Sequence, residues 1–274
     1  MSLESSARHP LYNQLLLTEP QLVDVVLVRP RNPLNIGAVA RAMANFGFSR
    51  LSVVAPYEPH WREAVSAIGA EALLQNAKKT ESLEDAVTHC TLVAGTGTLT
   101  YRKPEQEAIL LPALPPRIQQ ELARGGRVAL VFGPEKHGLT RDDLSLCHIL
   151  VEIPTDPRQP SMNLGQAVAV CLYELAARPS PRSNAPPEAG TSPLAKSLVR
   201  QAPAVPAADL ELLAGLIGET MLAVGYSPSA MQPANRHDWR LLLRRLALTQ
   251  RDTRRILGLF RRILWRLQHI QKTG

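Results

Sequence analysis

Residues 28–50, VRPRNPLNIGAVARAMANFGFSR, concentrate asparagine, arginine and glycine where an aliphatic run gives way to a helical pattern. A strand, a polar turn and a helix form an architecture suited to phosphate. The two common versions are missing: no GxGxxG follows the first aliphatic run, and no GxxxxGKS or GxxxxGKT occurs. Gly95 and Gly97, in AGTGTLT, make a lone GxG. Asn35 is either the N-cap of the following helix or a group that faces a ligand. Arg41 shares a stripe with Leu34, Gly37, Ala38 and Asn45, whose small members leave room around its guanidinium. It is either a surface or phosphate-contacting arginine, or part of a site. Ile36, Val39, Ala40, Met43 and Phe46 form the opposite, apolar stripe, and Gly47 is expected to cap the helix C-terminus.

Two later stretches repeat the pattern. VALVFGPEKHGLT ends a strand in a loop holding Gly133, Glu135 and Gly138, and VEIPTDPRQPSMNLGQAVAVCLYEL runs from strand through a proline-rich loop with Ser161 and Asn163 into a helix. Glycines at 95, 97, 133 and 138 permit close backbone approach, so that amides and carbonyls could read an adenine edge, or they serve only the turns. Ser161 and Asn163 either cap the helix after them or position a ligand. Glu135 is either a loop-capping acid or a site carboxylate.

The elements that must carry these loops are legible as well. The runs VDVVLV from Val23, LSVVAP from Leu51, TLVAG from Thr91, RVALVFG from Arg127 and ILVEIP from Ile149 alternate with helical patterns. That rhythm predicts an α/β fold with a parallel sheet and crossover helices. Leu164, Val168, Cys171 and Leu172 form the stripe of one helix, after which Pro, Ser and Ala dominate from 179 to 206, a linker expected to let the C-terminal segment move. That segment ends with Ile256, Phe260, Ile263, Leu267 and Ile270 on one face, and Arg251, Arg254, Arg255, Arg261, Arg262 and Arg266 mainly off it. Such a basic amphipathic helix is a docking helix with a solvated face, an RNA-contacting helix or a membrane-surface helix.

Composition narrows the partners. A formal net charge of +7 and a pI near 9.7 favour polyanions, while 4% aromatic residues argue against recognition by stacking many splayed bases. Cys90, Cys147 and Cys171 show no CxxC spacing and the histidines do not cluster along the chain, so neither disulfide framework nor metal site is expected. Apolar runs fall well short of about 18 residues and the first residues lack a signal-peptide pattern, which predicts a cytoplasmic protein with no membrane association.

Taken in order, NIGAVARA, FGPEKHGL and IPTDPRQPSMNLGQAVAV resemble the motifs of the SPOUT RNA methyltransferases, in the TrmH-like 2′-O-ribose branch and most nearly the TrmJ group. The resemblance covers nearly the whole chain, including the arginine-rich tail with MLAVGY near its start. It implies a C-terminal trefoil knot in the sheet, a methyltransferase domain over 20–178, and a small all-α extension over 207–274 beyond the linker. It further implies an S-adenosylmethionine pocket built from Thr96, Gly97, Thr98, Gly133, Ile153, Pro160, Ser161, Met162 and Leu164, and catalytic roles for Arg41, Ser161, Asn35, Glu135 and Asn163. Two subunits would pair as a homodimer to complete the site. The implied reaction is ribose 2′-O-methylation of RNA, foremost nucleotide 32 in a tRNA anticodon loop. Ribosomal RNA methylation and catalytically idle RNA binding are the alternatives. Where the group often has a Tyr-Ser pair before the third-motif serine, this chain has Gln159 and Pro160, and its arginines after GT are represented by Arg102 and the offset Lys103. An arginine is a poor base because its pKa exceeds about 12. Arg41 would therefore stabilise charge, or assist deprotonation only beside a phosphate.

Overall fold

Strands form where the chain is aliphatic on both faces, and the computed structural model, which describes residues 17, 19–98, 104–176 and 205–270, gathers those runs into one sheet. The strands are β1 (Val23–Val28), β2 (Arg50–Val54), β3 (Lys78–Thr80), β4 (Leu92–Thr96), β5 (Glu107–Leu110), β6 (Val128–Phe132) and β7 (Ile149–Glu152). All seven are parallel, in the order β3-β2-β1-β6-β4-β7-β5. The runs expected from sequence are the interior strands. The edges, β3 and β5, read KKT and EAIL and lie outside that expectation, because a strand with one neighbour and solvent beyond it needs no continuous aliphatic run.

This strand order positions the site. β1, β6, β4 and β7 are consecutive in the sheet although far apart in sequence, so the loops leaving their C-terminal ends meet along one edge. With parallel neighbours about 4.8 Å apart, the four loop origins span roughly 15 Å. Ligands of open α/β sheets sit at such carboxyl edges.

Helices cover both faces: α1 (Pro33–Asn45), α2 (Glu71–Gln75), α3 (Leu83–Val87), α4 (Leu114–Ala123), α5 (Arg141–Ser145) and α6 (Leu164–Ala176). α1 starts earlier than expected. Pro33 takes the first helical position and the side chain of Asn32 accepts from the Leu34 amide at 2.9 Å, so Asn32 is the N-cap, freeing Asn35 for other bonds. At the other end Phe46 is the C-cap and Gly47, at φ +78°, follows it in the left-handed conformation. Ile36, Val39, Ala40 and Met43 are buried as their stripe predicts, and so are Leu164, Val168, Cys171 and Leu172 of α6. α1 and α6 cross closely: a Cβ on Gly165 would lie 2.8 Å from that of Ala38.

Beyond the methyl-rich sheet core, α7 (Ala207–Ala223), α8 (Gln232–Arg245) and α9 (Gln250–Ile270) pack around Leu210, Leu213, Ile217, Leu243 and Leu257. Most of the expected linker, like Arg102, Lys103 and Arg178, lies outside the described residues. Its last part does not: Val205, 7% exposed, joins the core of these helices. The expectation that the tail moves is corrected for α7 and α8, which are docked on α3 and α5. The Ala207 amide donates to the Cys90 carbonyl at 2.8 Å, and Arg236 and Arg240 both pair with Glu84. Arg244, its side chain 1% exposed, donates to the Leu146 carbonyl at 3.1 Å and to Glu211 at 2.9 Å. Burial, and then the Arg244 charge, pull His148 beneath it down to about 3 and keep it neutral. On α9, Ile256, Phe260, Ile263 and Leu267 are half-buried, while its six arginines at 251, 254, 255, 261, 262 and 266 are exposed.

Glu211, on α7, is the counter-ion of Arg244 on α8, and its loss leaves the buried guanidinium that reaches the Leu146 carbonyl charged and unpaired. Glu211→Ala is expected to cost about 3–5 kcal/mol in urea unfolding. Arg236→Ala, at a half-exposed pair, is expected to cost about 1 kcal/mol or less.

Candidate active site

Three of these loops, those after β4, β6 and β7, line a cleft of about 260 Å³. Thr96, Gly97 and Thr98 enter it from β4, Gly133 to Leu139 from β6, and Ile153, Pro160, Ser161, Met162 and Leu164 from the segment between β7 and α6. All nine residues expected at a donor pocket line this one space. Its shape rests on backbone. A Cβ on Gly133 would stand 2.3 Å from the Leu139 amide, so the loop folds back on itself only because residue 133 has no side chain. Gly138, at φ +64°, makes the return turn and donates to the Pro134 carbonyl at 2.9 Å. Gly97 differs: a Cβ there would meet nothing within 4 Å, so its missing side chain leaves the cleft open instead of allowing protein to approach. The third wall is pinned by Pro160, whose carbonyl accepts from Thr98 and Thr155, each at 3.3 Å.

Beside the cleft, one chain of hydrogen bonds joins the three motif loops. Glu135 accepts from the amides of Arg31 and Asn32 at 3.1 and 3.2 Å and from Asn35 Nδ2 at 2.8 Å. Asn35 Oδ1 in turn accepts from Asn163 Nδ2 at 2.9 Å. Asn163 Oδ1 accepts from the amides of Gly165 and Gln166 at 2.9 and 3.4 Å, capping α6. The direction is forced. A carboxylate only accepts and main-chain amides only donate, so each asparagine has one orientation that satisfies both of its neighbours. Desolvation raises the Glu135 pKa, but the bonds from Asn35, from its own amide and from Arg31 and Asn32 outweigh it and leave it below the ordinary carboxylate value. The ionised strut is thus in force above that range and is lost as pH falls through the lowered value.

The five residues expected to be catalytic separate into three groups. Asn35, Glu135 and Asn163 are brought together in this relay, with Glu135 also lining the cleft. Ser161 lines the cleft and does not cap α6, a task that Asn163 performs. Arg41 is exposed on α1, outside the cleft lining, and makes no ion pair among the described residues. A second clamp escaped the sequence reading. Arg29, left-handed at φ +47°, forms a two-pronged ion pair with Asp143, whose Oδ2 also accepts from the amide and hydroxyl of Thr140 at 2.7 Å. The string TRDD carries the capping-box spacing that announces half of that clamp. His89 also departs from expectation: in space it joins Asp24 and Cys90, their ligand atoms within 4.8 Å of one another, at the end of β1 away from the cleft. Arg50 and His89 occupy the two Asp24 oxygens, and burial pushes the Cys90 thiol up, which makes this an ion-paired buried acid.

Comparison with known proteins gives the same outline. The profile of the SpoU rRNA Methylase family matches residues 23–173. The tRNA (cytidine/uridine/adenosine-2′-O-)-methyltransferase TrmJ of Pseudomonas aeruginosa is 38% identical over 215 residues, covering 74% of this chain and 79% of its own. The tRNA (cytidine/uridine-2′-O-)-methyltransferase TrmJ of Pectobacterium atrosepticum is 34% identical over 92% of this chain and 97% of its own. Among solved structures, TrmJ from Z. mobilis ZM4 superposes with a TM-score of 0.72 at 28% identity, over 88% of this chain and 98% of that one.

The direction of the relay has a consequence that separates it from simple packing. Asn35→Asp replaces the donor 2.8 Å from Glu135 with a second carboxylate oxygen, whereas Asn35→Ala only removes the bonds. The near-isosteric aspartate is expected to be the worse substitution at pH 7, lowering Tm by about 2–4 °C for each of the roughly 1.5–3 kcal/mol at stake. Differential scanning calorimetry of the two variants, repeated near pH 4 where the order is expected to narrow, checks it.

Proposed function

The chain belongs to the SpoU rRNA Methylase family and is an RNA ribose-2′-O-methyltransferase, and from that premise we propose that its substrate is tRNA, methylated in the anticodon loop at nucleotide 32, with S-adenosylmethionine as methyl donor. The observation that carries this reading is the relay: it joins the loops of all three motifs beside the cleft, within the stretch matched by the family. The cleft suits the donor, since Gly97 leaves it open with no side chain and Ile153, Met162 and Leu164 give it an apolar lining. When bound, the donor supplies an electrophilic methyl group on a sulfonium. Gly97, Gly133 and the 160–164 segment would hold it, with backbone groups at its polar edges.

The chain's own contribution is placement. A ribose hydroxyl must lie in line with the transferred methyl, and fixing that geometry supplies several kcal/mol of barrier reduction. Glu135 is not a free base, because the Arg31 and Asn32 amides and the Asn35 side chain already donate to it. Nor does Asn163 have a free carbonyl for RNA, since its oxygen caps α6. Ser161 at the cleft wall orients the ribose in this reading, and Arg41 stabilises the charge that develops as the hydroxyl loses its proton. Arg41 lies off the cleft of its own chain, on an exposed α1–α6 face with Leu34 at 51%, Val170 at 37% and Tyr173 at 50% exposure. A homodimer joined through that face brings the arginine to a cleft. The reading also includes a trefoil knot, supported by β7 lying between β4 and β5 in the sheet, and a cytoplasmic protein, in keeping with the tRNA substrates of its relatives. The division into a methyltransferase domain over 20–178 and an extension over 207–274 is supported by the separate core of α7–α9.

Incubation of the protein with labelled donor and unmodified tRNA, followed by mapping of the product, is expected to place a 2′-O-methyl group at nucleotide 32. Label found only in ribosomal RNA, or in no RNA, contradicts the proposal. Arg41→Ala is expected to lower turnover by about 100-fold or more while donor affinity by calorimetry stays at the parent value.

A further inference from the structure

We propose that Tyr57, with Arg31 laid against its ring, is a stacking platform for one nucleobase beside the methylated ribose. This rests on the RNA methyltransferase reading and adds a base-recognition site to it. The loop after β2 lies next to the first-motif turn because β1 and β2 are neighbours in register. Two bonds fix it there. The Ala55 amide donates to the Thr80 carbonyl at 2.8 Å, and the Tyr57 amide donates to the Pro30 carbonyl at 3.2 Å. Ala55 is left-handed at φ +42°, as Arg29 is after β1, so both chains turn sharply at the same sheet edge.

The result is a 67% exposed tyrosine held by backbone next to the site. The Arg31 guanidinium carbon stands 5.2 Å from its ring centroid, a cation–π contact. The Arg31 amide is itself bound by Glu135, which ties the platform to the relay. The guanidinium covers one ring face. The other is open to a flat π surface, and the arginine retains donors suited to a phosphate. A base on a phosphate backbone is the partner with both features. Stacking is tolerant of base identity, so this site would favour a base over a gap without choosing among bases. The low aromatic content excludes a multi-base platform but leaves room for a single one. By the strand spacing, β2 lies about 10 Å from β6 and its donor loop, a reach that fits a neighbouring nucleotide.

The test measures RNA binding by full-length protein, using unmodified tRNA and the same tRNA carrying single abasic riboses across the anticodon loop. Tyr57→Phe is expected to bind as the parent does. Tyr57→Ala is expected to bind intact tRNA about 5- to 150-fold more weakly with unchanged donor affinity, and one abasic position should abolish that difference. The inference is overturned if Tyr57→Ala binds every RNA as the parent does, or if it weakens all the abasic RNAs by the same factor as the intact one. A change in oligomeric state alone would also overturn it, marking the loop as a protein contact. Methyl transfer by the parent is read separately. A base-dependent Tyr57 effect without transfer sinks the enzymatic reading and keeps the platform, transfer without that effect does the opposite, and failure of the parent to bind tRNA sinks both.

Discussion

The site depends on one directional chain of hydrogen bonds, anchored by groups that can play only one part. At one end Glu135 can only accept; at the other the first free amides of α6 can only donate. Between them Asn35 and Asn163 each donate one way and accept the other. Three loops, the outer two separated by 128 residues in sequence, are thereby held in one arrangement, beside a cleft that has little secondary structure of its own. An apolar contact could hold the loops together but not fix their orientation, because it has no direction. Glu135 and Asn163 are exposed and Asn35 is half-buried, so water competes for each partner and the relay fixes direction more than it adds stability.

The sheet makes the relay possible. Nothing in the local sequence says that β6 follows β1 in space, yet that adjacency sets Glu135 opposite Asn35. Much of the fold was nonetheless legible. The interior strands declare themselves because both their faces are covered, and the buried stripes of α1 and α6 follow from helical spacing. What escaped was decided by tertiary neighbours. β3 and β5 lack an aliphatic signature because they are edges. The cap of α1 is the exception, a local matter: Pro33 at the first helical position makes Asn32 the cap, where Asn35 had been one reading. Asn163 had two readings, cap and site residue; its oxygen caps α6 while its nitrogen donates to Asn35. The Arg29–Asp143 clamp joins residues 114 positions apart, which no local pattern can show.

The tail obeys a related logic in a different medium. Its docking turns on Arg244, which would be too costly to bury alone and is tolerated because Glu211 and the Leu146 carbonyl meet its fork. Burial lowers the Arg244 pKa, while Glu211 opposes that shift. Such a contact specifies geometry more than it adds stability. It sets α7 and α8 against the catalytic sheet while the arginines of α9 stay in solvent, a charged surface in keeping with a polyanionic substrate.

The relay itself is tested most directly by a double-mutant cycle between its two ends. Among the described residues Glu135 and Asn163 share no hydrogen bond and are joined through Asn35. Donor affinity of Glu135→Ala, Asn163→Ala and the double variant, measured by calorimetry on folded protein, gives the coupling. A cooperative relay predicts a double variant little worse than the more damaged single variant, with a coupling of about 0.5–3 kcal/mol. Additive losses would contradict the account, showing that the two ends act independently and that Asn35 transmits nothing between them.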